Sequence, residues 1–131
     1  MQGTPKTMQK NPVYENITLE VNQFFSEKIR VLKEFGINDI ILDPGFGFGK
    51  TVAHNYELLN NLDLIGFGEF PVLAGVSRKS MITKLLNISA DEALNGTTVL
   101  NTVALQNGAK ILRVHDVKEA KETIQIYKML K

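Results

Sequence analysis

Asp39-Ile40-Ile41-Leu42-Asp43-Pro44-Gly45-Phe46-Gly47-Phe48-Gly49-Lys50 is the stretch whose reading decides the fold. Asp39 to Leu42 is short, apolar and β-branched, and Asp43-Pro44-Gly45 breaks it, so it predicts a buried strand. A loop that alternates glycine with phenylalanine follows. The pattern of an apolar run ending in polar residues recurs twice. Val72-Leu73-Ala74-Gly75-Val76 leads into Ser77-Arg78-Lys79-Ser80, and Ile111-Leu112-Arg113-Val114 leads into His115-Asp116.

Helical periodicity fills the gaps between these runs. Asn16 is placed to cap a helix whose Ile17, Val21, Phe24, Phe25, Leu32 and Phe35 share a face, with Gly36 as its stop. Tyr56, Leu58, Leu59 and Leu62 carry a second helix from about Asn55 to Leu64. A short helix is expected from Met81 to Leu86 and a longer one from Thr97 to Gln106, ended by Asn107-Gly108. Ala120, Ile124, Tyr127 and Leu130 line one face of a last helix. Ser89 with Glu92, and Asp116 with Glu119, have capping-box spacing. The opening Met1 to Glu15, polar and holding Pro5 and Pro12, reads as a loop. Alternating helices and apolar strands predict an α/β fold with three parallel strands and about four helices. An open doubly wound sheet and a (β/α)8 TIM barrel both satisfy that order.

The length of 131 residues suits one domain. Hydrophobic residues make up 44% and charged residues 22%, which excludes a disordered tail or a collagen-like repeat. Fifteen Lys and Arg against fourteen Asp and Glu leave a net charge of +1, so no electrostatic case exists for duplex nucleic acid or a membrane surface. There is no cysteine, hence no disulfide, thiolate metal site or cysteine nucleophile. No apolar run is long enough to span a bilayer, and the first twelve residues lack the apolar core of a signal peptide. The expected location is cytoplasmic.

In both parallel architectures the ligand site lies at the carboxyl ends of the strands. Those ends carry Asp43, then Ser77 and Lys79, then Arg113 and His115, so three strands aim polar groups at one rim. Arg113 and His115 are two apart and share a face if the strand continues; Gly75, Ser77 and Lys79 share parity likewise. Arg113 sits within an apolar run and is expected to point into a lined interior, where an arginine needs a partner. An ion pair with Asp43 or Asp116 and an anionic ligand are equal alternatives. Asp43 alone would cap a turn; beside a glycine loop at a strand end it reads better as a ligand-binding carboxylate. His115 alone is more often structural, and Lys79 alone a solvated charge. His54 fits a helix start and is given no chemistry.

Gly45 to Thr51 is a near miss for two nucleotide motifs. A phosphate loop ending in Gly49-Lys50-Thr51 needs glycine where Pro44 stands, and a dinucleotide fingerprint needs glycine where Lys50 stands. Phe46 reads as pinned to the helical layer, and Phe48 as closing over a flat ligand. Ser77-Arg78-Lys79-Ser80 lies where a strand gives way to a helix, and free N–H groups there favour anions. A flat, anionic small molecule is favoured over a polymer.

Taken together, Asp43 to Lys50, Gly75 to Ser80 and Arg113-Val114-His115-Asp116 resemble dihydropteroate synthase, and Met1-Gln2-Gly3-Thr4-Pro5 resembles that family's loop after the fifth barrel strand. The four segments fall in the family's order across essentially the whole chain. The resemblance implies a (β/α)8 barrel of folate biosynthesis that joins 4-aminobenzoate to 7,8-dihydropterin-6-ylmethyl diphosphate with help from Mg²⁺, and that sulfonamides inhibit by competition. It implies that Asp43 holds the pterin's amidine edge and that Lys79 reaches the pterin carbonyl and ring nitrogen. Arg113 would stack on the pterin and, with His115, hold the departing diphosphate. Phe48 and Ser77 would line the aminobenzoate pocket, with Gly47 and Gly75 leaving room, and the helix start after Lys79 would face the aminobenzoate carboxylate. A methyltetrahydrofolate-binding barrel of a corrinoid methyltransferase is the alternative, against which the Phe48 loop and Ser77-Arg78-Lys79 argue. A non-catalytic half-barrel piece is another.

A barrel of this kind needs about 250 residues. Residues 1–131 are therefore expected to be its C-terminal part, supplying the last three strands, with the N-terminal half absent. That half would carry the Mg²⁺-binding Asn, further pterin-binding residues and a mobile loop, so no metal ligand is expected here. Such a piece should expose apolar surface and associate, with itself or with the missing half.

Overall fold

A computed structural model describes residues 14–131. The family-like segment Met1 to Pro5, and all but the end of the expected opening loop, lie outside the described residues. Within them the chain forms α1 (Ile17–Glu34), α2 (Val52–Asn60), β1 (Leu73–Ala74), α3 (Ser80–Leu86), α4 (Leu94–Gln106), β2 (Ile111–Leu112) and α5 (Val117–Met129). A kinked 3-10 segment, Leu62–Gly68, follows α2, and a short one, Ala90–Glu92, precedes α4.

Local chemistry sets the ends of α1. The Asn16 side chain accepts from the Leu19 N–H. At the other end Gly36 takes φ +78°, its N–H donates to the Lys33 carbonyl, and the Ile37 N–H donates to Leu32. This is a Schellman closure, which needs a left-handed residue at that point. Ile17, Phe25 and Ile29 are buried, but Phe24 and Phe35, expected on the same face, are exposed. The core is met by a narrower stripe than the apolar pattern drew. Helix α2 starts three residues earlier than expected, because Thr51 and His54 form a reciprocal capping box.

The sheet is slighter than the sequence predicts. Leu73 pairs with Ile111 and Ala74 with Leu112 in parallel. The expected first strand contributes a single parallel bridge, Leu42 to Val72, with the Leu42 N–H on the Pro71 carbonyl and the Leu73 N–H on the Leu42 carbonyl. So two short strands and a bridge stand where three strands were expected, and five α-helices where about four were. All three segments still run parallel and in sequence order. Ile40, Leu42, Val72, Ala74 and Val76 are buried beneath the helices, while Ile41, between two of them, is 55% exposed. That alternation gives the sheet one helix-covered face and one uncovered face.

Side chains tie the layers. Asn22 of α1 donates to the Leu64 carbonyl and accepts from the Gly66 N–H, fixing the kinked segment. The Tyr56 hydroxyl donates to the Met81 carbonyl at 2.7 Å, linking α2 to α3. Among the described residues no helix is long and apolar enough to cross a membrane.

Candidate functional site

The parallel register builds the site. The last ladder bond runs from the Arg113 N–H to the Ala74 carbonyl at 3.0 Å, which sets Arg113 beside Gly75. A Cβ on Gly75 would lie 2.9 Å from Arg113 Nη2 and 3.2 Å from Nε, so the guanidinium lies across the bare glycine. Arg113 Nη1 stands 3.8 Å from Asp43 Oδ2. The expectation of an enclosed arginine is corrected: the Arg113 side chain is 56% exposed, and its ion pair with Asp43 is long and open to solvent. Of its two candidate partners, Asp43 is the one it meets.

Both strands stop before the residues they were expected to carry, β1 at Ala74 and β2 at Leu112. Shared strand parity therefore does not align Gly75, Ser77 and Lys79, or Arg113 and His115. Side-chain bonds take over. Ser77 Oγ and His115 Nδ1 are 2.7 Å apart, and the His115 backbone N–H donates to Ser77 Oγ at 3.3 Å. With the hydroxyl accepting from that N–H, its proton is best spent on Nδ1, which leaves Nε2 as an N–H donor. Arg78, at φ +53°, donates through Nε and Nη2 to both oxygens of Asp116 at 3.0 Å, and through Nη1 to the Ala90 carbonyl. Its own N–H donates to Thr97 Oγ1. This fork straps the end of β1 to the end of β2. It also overturns the expected capping box at Asp116, whose side chain makes no cap bond because Arg78 holds it. The capping box at Ser89 and Glu92 does form, on the short 3-10 turn instead of a long helix.

Lys79 donates to the Phe46 carbonyl at 2.7 Å and lies 5.0 Å over the Phe48 ring. A Cβ on Gly47 would be 3.5 Å from Lys79 Cδ, so the loop runs close along that side chain. Phe46 is 0% exposed and belongs to the core; Phe48 is 42% exposed. Phe46 is thus pinned to the core as expected, and the Phe48 ring is open to solvent.

Gly75, Ser77, Lys79, Arg113, Val114 and His115 line a cavity of about 260 Å³. Asp43, Gly45, Phe48 and Lys50 line a neighbouring one of about 440 Å³ against Phe24 and Phe25 of α1. The eight residues singled out from the sequence, Asp43, Gly47, Phe48, Gly75, Ser77, Lys79, Arg113 and His115, therefore form one contiguous group. Burial lowers the Lys79 pKa, Arg113 lowers it further, and Asp43 opposes both. One carboxylate faces two cations here, an arrangement suited to a ligand with an N–H-rich edge and an anionic end.

Sequence reasoning missed Lys50, Asn55 and the Arg78–Asp116 fork. Lys50 is 5% exposed and donates to the Gly45 and Phe48 carbonyls. Burial, with Lys79 acting the same way and Asp43 opposing, brings its pKa down to about 8. Asn55, fully buried, accepts from the Gly47 N–H at 2.7 Å. Nothing in the local pattern marks either. The fork spans 38 residues of sequence, beyond the reach of any local rule.

Residues 1–115 match the model of the pterin binding enzyme family. Over 128 residues the chain is 47% identical to a dihydropteroate synthase of Escherichia coli strain K12, covering 96% of this chain and 45% of that protein. It superposes with a TM-score of 0.95 and 43% identity on a Yersinia pestis dihydropteroate synthase crystallised as a sulfonamide drug complex, covering 99% of this chain and 48% of that one. A Thermus thermophilus dihydropteroate synthase in complex with 4-aminobenzoate gives 0.91 at 35% identity, covering 97% and 52%. The chain spans about half the length of the curated relatives it matches. With its strand-end residues gathered as described, the chain belongs to the pterin-binding enzyme family.

Proposed function

We propose that this chain supplies one part of a dihydropteroate synthase site of folate biosynthesis, which joins 4-aminobenzoate to 7,8-dihydropterin-6-ylmethyl diphosphate. The observation that carries the reading is the juxtaposition of Asp43, Lys79 and Arg113 at one rim, with Gly75 bare beneath the guanidinium. A carboxylate accepts two N–H donors from the pterin's amidine edge. Lys79, with one N–H on the Phe46 carbonyl, turns its other two toward the pterin carbonyl and ring nitrogen. The Arg113 guanidinium, held flat over Gly75, stacks on the pterin and reaches the diphosphate. His115, oriented by Ser77, offers its Nε2 proton to the same anion. Phe48 and Ser77 line the aminobenzoate pocket, and sulfonamides compete there.

In the reaction the bond from the pterin methylene to the diphosphate oxygen breaks, and its electron pair leaves on the diphosphate. The aminobenzoate nitrogen bonds to that carbon and releases a proton to solvent. Arg113 and His115 stabilise charge growing on the leaving group, the point at which preorganised donors lower a barrier most. Lys79 and Asp43 fix the pterin so that its methylene faces the amine.

Mg²⁺ takes a shell of oxygen ligands and is usually held by carboxylates. Among the described residues no group of three or more His, Asp or Glu comes together. Asp43 faces Arg113 and Lys79 here. The Mg²⁺ ligand is expected in the N-terminal half, and no step here runs through the metal.

We further propose that residues 1–131 form the C-terminal half of a (β/α)8 barrel in the cytoplasm, completed by a second copy or by a complementary half. The uncovered sheet face at Ile41 and the exposed Phe24, Phe35 and Phe67 support this.

The test mixes this chain, both substrates and Mg²⁺, with and without the N-terminal half of the Escherichia coli relative, and measures 7,8-dihydropteroate. Product only with the added half is expected. Product from the chain alone would mean that a second copy completes the site, and would overturn the need for the complementary half. No product in either mixture, with no binding of either substrate, would overturn the function.

A further inference from the structure

The glycine loop is held from inside by a buried cation. Gly45, Gly47 and Gly49 all take positive φ, between +66° and +90°, which turns loop carbonyls inward where an L side chain would be strained. The Gly45 carbonyl accepts from the Phe48 N–H at 3.2 Å and from Lys50 Nζ at 2.8 Å. The Phe48 carbonyl accepts from the same ammonium at 3.0 Å. Lys50 therefore bridges both ends of the turn that carries Phe46 to Phe48. Outer bonds complete the frame: Asp43 Oδ1 accepts from the Gly45 N–H, Asn55 from the Gly47 N–H, and the Gly49 carbonyl accepts from the Tyr14 hydroxyl. Phe46 is buried in the core, while the Phe48 ring is 42% exposed.

A buried ammonium is costly without acceptors. The two carbonyls offset part of that cost, and only while the turn keeps its shape, so the buried ammonium favours the turn over a loosened loop. We propose that Lys50 is a positioning residue: from within the loop it sets the placement of Phe48, and through Phe48 the fit of the aminobenzoate ring. Asp43 and Lys79 also bond to this loop, at the Gly45 N–H and the Phe46 carbonyl, but neither bond involves Lys50, which holds the Gly45 and Phe48 carbonyls. Lys50 therefore acts on one substrate more than on the other. Its depressed pKa accords with an ammonium enclosed by the loop and facing Lys79.

The inference rests on the reading of the site given above, and its test separates the two. In Lys50→Met, which keeps the stem and removes the charge, amide hydrogen exchange across Gly45 to Lys50 is expected to quicken at least tenfold, with α5 unchanged. In the complemented enzyme, KM for 4-aminobenzoate is expected to rise about tenfold, roughly 1.4 kcal/mol, with KM for the pterin diphosphate within twofold. Should the Met variant fail to fold, Lys50→Gln, which keeps an amide donor, is read by the same two measurements. Unchanged loop exchange, or equal weakening of both substrates, would overturn the proposal. If the wild-type complemented enzyme makes no product, the functional reading fails, while loop exchange still decides whether Lys50 holds the turn.

Discussion

Gly75→Ala separates function from stability at a single methyl group. The added Cβ would lie 2.9 Å from Arg113 Nη2, 3.2 Å from Nε and 3.4 Å from Cζ. Ordinary contact is about 3.5 Å, so the guanidinium must retreat by roughly half an ångström. It can do so cheaply, because the Arg113 side chain is 56% exposed and its separation from Asp43 is already 3.8 Å. The expected folding cost is within about 0.5 kcal/mol. The retreat moves the plane on which the pterin stacks and the donors that meet the diphosphate. A misplaced charge-assisted contact costs about 1.5–3 kcal/mol, or a ten- to hundredfold weaker binding of the pterin diphosphate. Gly96→Ala is the opposite case. Its Cβ would lie 2.5 Å from Ile82 Cγ2 in the contact between α4 and α3. Overpacking there should cost about 1–3 kcal/mol, offset by up to about 1 kcal/mol of helix propensity, with ligand affinity of the folded fraction unchanged. NMR titration gives the affinities and urea unfolding the stabilities. Wild-type affinity in Gly75→Ala would refute the placement of Arg113 over the ligand, and a loss of more than about 2 kcal/mol in stability would refute the freedom assigned to its side chain.

Three further outcomes are expected. Asp43→Asn keeps one acceptor but meets paired pterin donors with an N–H, so pterin binding should fall at least tenfold while 4-aminobenzoate binding holds; equal loss of both would contradict the assigned role. The Arg78 hydrogen bond depresses the Asp116 pKa, so its stabilisation is present above the ordinary carboxylate range and is lost as pH falls through the depressed value. Acid unfolding curves should therefore lose part of their low-pH slope in Asp116→Asn, and identical curves would remove the fork from the account. Lys50, down at about 8, binds fewer protons folded than unfolded between that value and its ordinary 10.5, so it makes stability rise with pH across that window. Tyr14 and Tyr56, raised by burial, act the other way above about pH 10. The urea midpoint should climb from pH 7.5 to 9.5 in the wild type and climb less in Lys50→Met, where the lowered pKa of Lys79 still contributes.

What could be read from the chain alone was whatever closes within a few residues. Asn16 and Gly36 bound α1 through bonds to residues three to five positions away, so a linear pattern suffices. The breakers after Leu42, Val76 and Val114 mark where each run turns polar, and parallel order then collects those turns at one rim. Tertiary structure decided what depends on a distant partner. Leu42 meets Val72 through one bridge because a strand's length is set by its neighbour's path as well as by its own residues. Phe24 and Phe35 match the helical period yet are exposed, since the buried stripe follows what α1 packs on. Asp116 has capping-box spacing, but a guanidinium 38 residues earlier makes a two-pronged ion pair with it where a cap would make a single bond to a backbone N–H. Lys50 looks like a surface lysine until the loop carbonyls, turned inward by positive φ, give its ammonium acceptors in the interior. Local hydrogen bonds are encoded by spacing; competition among distant partners for the same charge is settled only when the chain is packed.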